Sequence, residues 1–314
     1  MSVSTRGQNH AKRMSVMQKQ EERCFFALIS PWIAGFLIFT LVPMVASGIL
    51  SFMEWDYINA PEFVGLQNYQ NLFVDKLFYK SLSVTAIYSF VSVPLSLLIS
   101  FLFALLLNCD IKCLSVFRTM FYLPSLVSGA AASVLWMWMF NPEFGVLNTI
   151  LGYFGIKGPG WIYDKDWALT SLIIMSLWSV GGSMLVYLSG LQGIPTELYE
   201  AAKIDGASSF TRLFKITLPM MTPVVFYNLI MGVIGSFQTF TQSYVMTAGG
   251  PSYSTYFYVY YLYQNAFKYF NIGYASAMAW VLFFIILLFT ALIFKSSAVW
   301  VYYESEAKGG KRDA

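Results

Sequence analysis

This sequence of 314 residues is short of charge: Asp, Glu, Lys and Arg make up 11% of it, and His10 is its one histidine. The shortage is uneven. Six stretches, Phe25–Phe52, Leu82–Asn108, Phe117–Phe140, Ala168–Leu191, Leu218–Met246 and Tyr274–Phe294, hold no Asp, Glu, Lys, Arg or His except Arg118 at the edge of the third. Whole segments without a polar face, and a mean hydropathy of +0.60, exclude an ordinary soluble domain. A helix of about 20 apolar residues crosses a hydrocarbon core of about 30 Å, so an all-α integral membrane protein of six spans is expected. The lack of mid-span carboxylates and histidines removes the relay that ion-coupled carriers use and favours an uncharged cargo. Cysteine is scarce too. Cys24, Cys109 and Cys113 all fall at span ends, and C-x3-C with only the distant His10 lacks the ligands of a metal site; free thiols and no metal are expected. There is no G-x-x-x-x-G-K-S/T phosphate loop, since Gly309-Gly310-Lys311 lies in a polar tail without strand context. No nucleophile–base pair is visible in the spans, which argues against a membrane enzyme.

What charge there is has a pattern. The first span follows 24 residues of polar character, is longer than a signal-peptide core and lacks a small-residue cleavage site, so it reads as retained. With the N-terminus inside, the inner segments hold 14 Lys and Arg and the outer loops five, which orients both termini to the cytoplasm. The expected organisation is a cytoplasmic tail over 1–24, a permeation domain over 25–296 and a second cytoplasmic tail over 297–314. The outer loops, Met53–Ser81, Asn141–Trp167 and Thr247–Gly273, carry turn-forming KGPG (Lys157–Gly160) and AGGP (Ala248–Pro251) clusters. Trp136, Trp138, Trp161 and Trp167 lie where an interfacial belt is expected. Pro43, Pro94, Pro124 and Pro223 sit inside spans and are expected to kink them.

One segment breaks the apolar pattern: ELYEAAKIDGASSFTRLFKITLP, Glu197–Pro219. Pro195 and Thr196 are helix-start residues, ELYEAAKI is built of strong helix formers, and Asp205-Gly206 ends that helix at a residue able to adopt a left-handed conformation. Ser208 or Ser209 caps a second short helix, FTRLFKI, leading to Leu218-Pro219 and the fifth span. Ala201, Ala202 and Ala207 keep one surface thin, with Glu200 and Lys203 beside it. Two readings follow from these residues: a knob on which another protein docks, or an amphipathic helix at the lipid headgroups. The balance of Glu197, Glu200 and Asp205 against Lys203, Arg212 and Lys215 leans to the first.

EAAKIDGA followed by Ile216, Leu218 and Pro219 resembles the EAA-loop signature of ABC importer permeases, and the match is specific. SPWIAGFLIFTLVPM (Ser30–Met44), FVGLQNYQNLF (Phe63–Phe73), MTAGGP (Met246–Pro251) and IGYASAMA (Ile272–Ala279) are similar to segments of the first permease of the maltose, lactose and multiple-sugar importers. The resemblance implies a type I ABC importer permease fold with a cytoplasmic EAA coupling loop over 195–219. Carried over by position, Glu200, Ala201, Ala202, Asp205 and Gly206 are the residues that couple to a cytoplasmic ATPase, with Asp205 fixing the corner. It further implies a second permease subunit, two copies of that ATPase, which bind ATP and Mg, an extracytoplasmic solute-binding protein, a prokaryotic cell membrane and a sugar or oligosaccharide cargo.

For the pathway, Gly232, Ser236, Thr239 and Ser243 recur at i, i+4, i+7 and i+11, one helical stripe, with Gln238 on the adjoining face. Trp178, Gly182 and Ser183 lie at comparable depth in the fourth span. Hydroxyls and amides for sugar hydroxyls, and aromatics for the apolar ring face, suit a weak oligosaccharide site; small and polar residues also line plain helix contacts in membranes. Two other readings stand beside this one: a permease for another solute such as a glycerol phosphate, and a secondary carrier, for which neither an internal repeat nor a coupling-ion site is found.

Overall fold

The computed structural model describes residues 16–109 and 112–302; His10 and Gly309–Lys311 lie outside the described residues. The helices are α1 (Val16–Phe36), α2 (Val42–Leu50), α3 (Gln67–Val74), α4 (Lys76–Leu106), α5 (Leu114–Leu126), α6 (Gly129–Met139), α7 (Val146–Tyr153), α8 (Ala168–Trp178), α9 (Gly181–Gln192), α10 (Thr196–Ile204), α11 (Ser209–Arg212), α12 (Leu218–Phe237), α13 (Tyr258–Tyr263) and α14 (Ile272–Trp300). A hairpin pairs β1 (Met53–Glu54) with β2 (Glu62–Phe63). Four stretches are continuous helices long and apolar enough to cross a membrane: Arg23–Leu50, Lys76–Leu106, Ser209–Phe237 and Ile272–Trp300. The other two spans are bent pairs, α5 with α6 and α8 with α9. The expected six spans are therefore present, but two of them are not straight rods.

The bends have local causes. Phe117–Phe140 reads as one apolar run, yet α5 and α6 meet at 99°. Val127 takes an extended conformation after Pro124, and the Ser128 hydroxyl accepts the Ala131 amide and starts a new helix. Between α8 and α9 the bend is 46°. There a Cβ on Gly181 would collide with the backbone of Phe121 and Tyr122 in α5, so glycine lets the two elements touch. The bends also change the expected tryptophan belt. Trp138 and Trp167 are exposed, but Trp136 and Trp161 are buried in the core, and the Trp161 indole donates to Asn148 Oδ1 at 2.6 Å.

Pro43 and Pro219 act through wider turns, while Pro94 and Pro223 sit inside helices that continue through them. Single π-helical turns over Leu37–Leu41 and Leu213–Thr217 each run directly into a segment with a proline in its first turn, Pro43 and Pro219. A proline ring collides with the carbonyl four residues earlier in an α-helix; a π turn moves that carbonyl away and lets the helix continue. Hence FTRLFKI is not a separate short helix. It joins Ser209–Phe237 into one element of 29 residues, which stops at Phe237, well before the expected Met246.

The spine of the bundle is α4, packed on α8, α9, α12 and α13. Its buried face is small and hydroxylated: Ser81, Thr85, Ser89, Ser92 and Ser100, residues that let helix backbones approach closely in a membrane. Ser81, Thr85 and Ser100 return their hydroxyls to carbonyls one turn back at 2.6–2.9 Å. Two separate cores lie along α4. Near its start, Phe78, Val84 and Tyr88 join Phe237, Phe257, Tyr258, Tyr260 and Tyr261 in an aromatic cluster. Near its end, Ala104 and Leu107 join Met184, Tyr187, Leu188, Leu191, Ile194 and Met221 in a mainly aliphatic one.

Candidate functional site

The charged segment sits at the aliphatic end. α10 begins after the extended Pro195, with Glu197 in its first turn and Lys203 in its last, the signs that complement a helix dipole. It ends in a complete Schellman motif: Ala207 N donates to Ala202 O at 2.8 Å and Gly206 N to Lys203 O at 3.1 Å. Gly206 holds φ +74°, and nothing lies within 4 Å of a Cβ placed there, so the backbone conformation alone demands glycine. The corner is thus closed by main-chain bonds. The Asp205 carboxylate, expected to fix it, is exposed and accepts no hydrogen bond among the described residues.

No residue of α10 is buried. Glu200, Ala201 and Lys203 are exposed, Ala202 is half-buried, and Ile204 is 87% exposed. Phe210 and Phe214, in the segment that follows, form a tilted ring pair with centroids 4.6 Å apart and are also largely exposed. One side chain ties this platform to the spans. Tyr199 packs on the aliphatic cluster, and its hydroxyl meets Thr217 Oγ1 at 2.9 Å, at the π turn that opens the fifth span. The far end of α14 lies on the same side, since Tyr302 N donates to Thr222 Oγ1 at 2.9 Å.

The residues expected to line a pathway do not form one stripe. The helix breaks over Gln238–Phe240, so Ser243 falls on a different element, where it is fully buried and donates to Thr255 O at 2.6 Å. Gly232 lies against α4, where an added Cβ would come within 3.1 Å of Val93. Ser236 is buried and donates to the Val233 carbonyl one turn back. Gln238 and Gly182 are exposed, Ser183 is half-buried, and the half-buried Trp178 packs edge-on against Trp136.

Thr239 is brought to a site that sequence reasoning did not find. The Tyr88 hydroxyl on α4 lies near those of Ser92, of Ser176 on α8 and of Thr239 after α12, with no hydrogen bond to any of them among the described residues. Ser89 Oγ on α4 and Trp136 Nε1 on α6 are enclosed without a hydrogen-bond partner among the described residues. A signal was available: Ser81, Thr85, Tyr88, Ser89 and Ser92 repeat at helical spacing down α4.

At the aromatic end Asp75 organises three helices. It caps α4 through the Leu77 amide at 2.8 Å and accepts the hydroxyls of Tyr261 on α13 and Tyr274 on α14 at 2.5 and 2.6 Å. Burial pushes the Asp75 carboxyl upward, but the two phenols and the backbone amides outweigh it and hold the pKa below the usual value. Burial first and then the carboxylate push the Tyr261 phenol up to about 12.

A family described as "Binding-protein-dependent transport system inner membrane component" matches residues 113–300, a region containing the bent spans, α10 and the last two spans. The chain belongs to this family. It is a multi-pass membrane permease, the transport component of a binding-protein-dependent ABC importer whose ATPase is a separate subunit. The probable ABC transporter permease protein YesP of Bacillus subtilis is 43% identical over 301 residues, 94% of this chain and 97% of that one. The trehalose/maltose transport system permease protein MalF of Thermococcus litoralis is 34% identical over 287 residues, 90% and 96% of the two chains. Among solved structures, a chain of a bacterial alginate ABC transporter in complex with alginate pentasaccharide-bound periplasmic protein superposes with a TM-score of 0.79 at 22% identity, covering 88% of this permease and 95% of that chain. That likeness establishes the fold.

Proposed function

We propose that this permease admits a neutral sugar or short oligosaccharide to the cytoplasm, with α10 as the part that receives the work of ATP. The observation that carries the coupling reading is α10 itself: a rigidly capped helix with no buried residue, flanked by exposed Ile204, Phe210 and Phe214. A soluble partner would bury that apolar rim, while Glu200 and Asp205 supply charges not used within the fold. Tyr199 and the helix continuous from Ser209 to Phe237 form a stiff link from this platform to the node at Thr239. Movement of α10 would then reset the packing of α12 against α4. In this reading Glu200, Ala201, Ala202, Asp205 and Gly206 meet an ATPase, ATP and Mg stay on that partner, and a second permease completes the path. Both termini and α10 face the cytoplasm, supported by the Lys and Arg bias. An extracytoplasmic binding protein delivers the cargo to the opposite, aromatic end.

The sugar class is supported by the relatives, which include permeases named for trehalose/maltose and for arabinooligosaccharides. Neutral hydroxyls suit a node built of Tyr88, Ser92, Ser176 and Thr239. The test is purification of the tagged chain from its own membrane in mild detergent, with mass analysis of its companions, ATPase assay, and uptake of a panel of neutral sugars and glycerol phosphate. A second permease and an ATPase should accompany it, with the ATPase lost from Glu200→Lys. Recovery of the chain alone at every detergent strength would sink the coupling assignment; uptake of glycerol phosphate and of no sugar would replace the cargo.

A further inference from the structure

At the aromatic end, away from the Thr239 node, the hairpin, α3, α13 and the start of α14 enclose a cavity of about 680 Å³. Its wall is polar and acidic. Six amide side chains line it, Asn71 among them, with the carboxylates of Glu54, Asp56, Glu62 and Asp75; no Lys, Arg or His does among the described residues, and Trp55 offers a half-exposed ring. Two of the amides are nearly buried, Asn68 at 7% exposure and Asn265 at 5%. Each spends its NH2 group on the fold: Asn68 donates to the carbonyls of Ser51 and Met53, and Asn265 to that of Tyr261. Their Oδ1 atoms accept no hydrogen bond among the described residues and are not sealed from solvent, and both side chains line the cavity. The hairpin adds a second oddity. Glu54 and Glu62 stand directly opposite each other across the strands, and both line the same cavity. Like charges in that position destabilise a hairpin unless donors separate them.

We infer that this cavity is a second carbohydrate site, a receiving pocket at the aromatic end of the permease that holds a neutral oligosaccharide before it enters the spans. Vicinal hydroxyls donate to Glu54, Glu62 and the two amide oxygens, the remaining amides match the alternation of donor and acceptor on a sugar ring, and Trp55 covers its apolar face. The volume falls in the range of small-molecule sites, about 300–1,000 Å³, and is far more than one lysine or arginine head group needs. An anionic sugar is disfavoured by the carboxylates.

The inference rests on the sugar reading above, and the experiment separates the two. The complete importer in lipid nanodiscs, without its binding protein, would be titrated with maltose, trehalose and arabinotriose by saturation-transfer NMR; uptake of the same sugars would be measured in proteoliposomes with the binding protein. Sugar taken up by the wild type should bind directly, at least tenfold more weakly in Trp55→Ala and severalfold more weakly in Asn71→Ala and Glu62→Gln. Thr239→Ala should leave this binding in place. Asn71 and Glu62 are exposed, so their variants fold even if loss of Trp55 perturbs the packing around it. Uptake with no direct binding, or with binding that all three cavity variants leave unchanged, overturns the receiving pocket and leaves the sugar reading standing. Variants that change only the salt-sensitive affinity for the binding protein would also overturn it, turning the cavity into a protein contact. Uptake of no sugar by the wild type removes both.

Discussion

The two ends of α4 are built on opposite plans. At its start, the buried Tyr261 on α13 and the half-buried Tyr274 on α14 are bonded to Asp75, and the Tyr258 amide donates to Thr85 Oγ1 at 2.9 Å, so the loop between the last two spans is fastened into the core. At its end, the core is aliphatic, and the segment beyond it, α10 with the start of α11, lies outside that core with apolar side chains facing outward. Hydrogen bonds within the chain hold that loop in place, whereas a capped helix with none of its residues buried leaves its faces open to a partner. The difference separates what the permease holds by itself from what it presents to a neighbour.

The sharpest way to break the comparison is at the exposed end. Glu200→Lys should insert normally and lose uptake by at least about 100-fold, on the scale of the roughly 3 kcal/mol lost when a charge at an interface loses its partner; normal uptake would cancel the coupling role. Gly206→Val forces a β-branched residue to φ +74°, at a cost of about 1–2 kcal/mol or more, and should cut uptake about tenfold with membrane insertion unchanged. Gly206→Ala should do less, and equal effects would mean that backbone strain is not the cause.

At the tyrosine-rich end the expected damage is to stability rather than coupling. Asp75→Asn weakens the bonds from Tyr261 and Tyr274, each about 1.5–3 kcal/mol where one partner is charged, and should lower the melting temperature while ATPase stays bound. Because the folded carboxyl titrates below its ordinary 3.8, its stabilisation is complete above that pH and lost as pH falls through the lower, folded value. A melting curve flat from pH 7 to pH 5 in the wild type, and steepening only below 3.8, checks the sign. Tyr199→Phe removes one hydroxyl between α10 and Thr217, worth about 0.6 kcal/mol by the average for membrane side-chain bonds. It should leave ATPase binding intact and raise the ATP hydrolysed per sugar severalfold; an unchanged ratio would make Tyr199 simple packing. The smallest effect is expected from Thr239→Ala, a change of about twofold to fivefold in relative uptake across a sugar panel with ATPase docking unaltered. Identical profiles would remove Thr239 from the path.

The legibility of the sequence follows the same division. α10 and its Gly206 corner could be read residue by residue, because helix formers, a cap and a left-handed glycine are local chemistry. The broken spans could not. Phe117–Phe140 is apolar throughout, and hydropathy carries no direction, so the 99° turn after Pro124 and the inward placement of Trp136 were invisible. The supposed stripe through Ser236, Thr239 and Ser243 assumed a helix that stops at Phe237. The hydroxyls of α4 show helical spacing, yet in a membrane that pattern marks packing as readily as a polar node.

By itself, then, the sequence determined the six apolar stretches, the Lys and Arg bias and the capped helix α10, since lengths, charges and caps act within a few residues. Only the tertiary structure decided that the Tyr258 amide reaches Thr85, that Asp75 gathers Tyr261 and Tyr274, and that Glu54, Asn68 and Asn265 share one cavity. Those partners lie far apart in the chain, and in lipid, where apolar surface does not choose among apolar neighbours, close packing and hydrogen bonds select which faces meet.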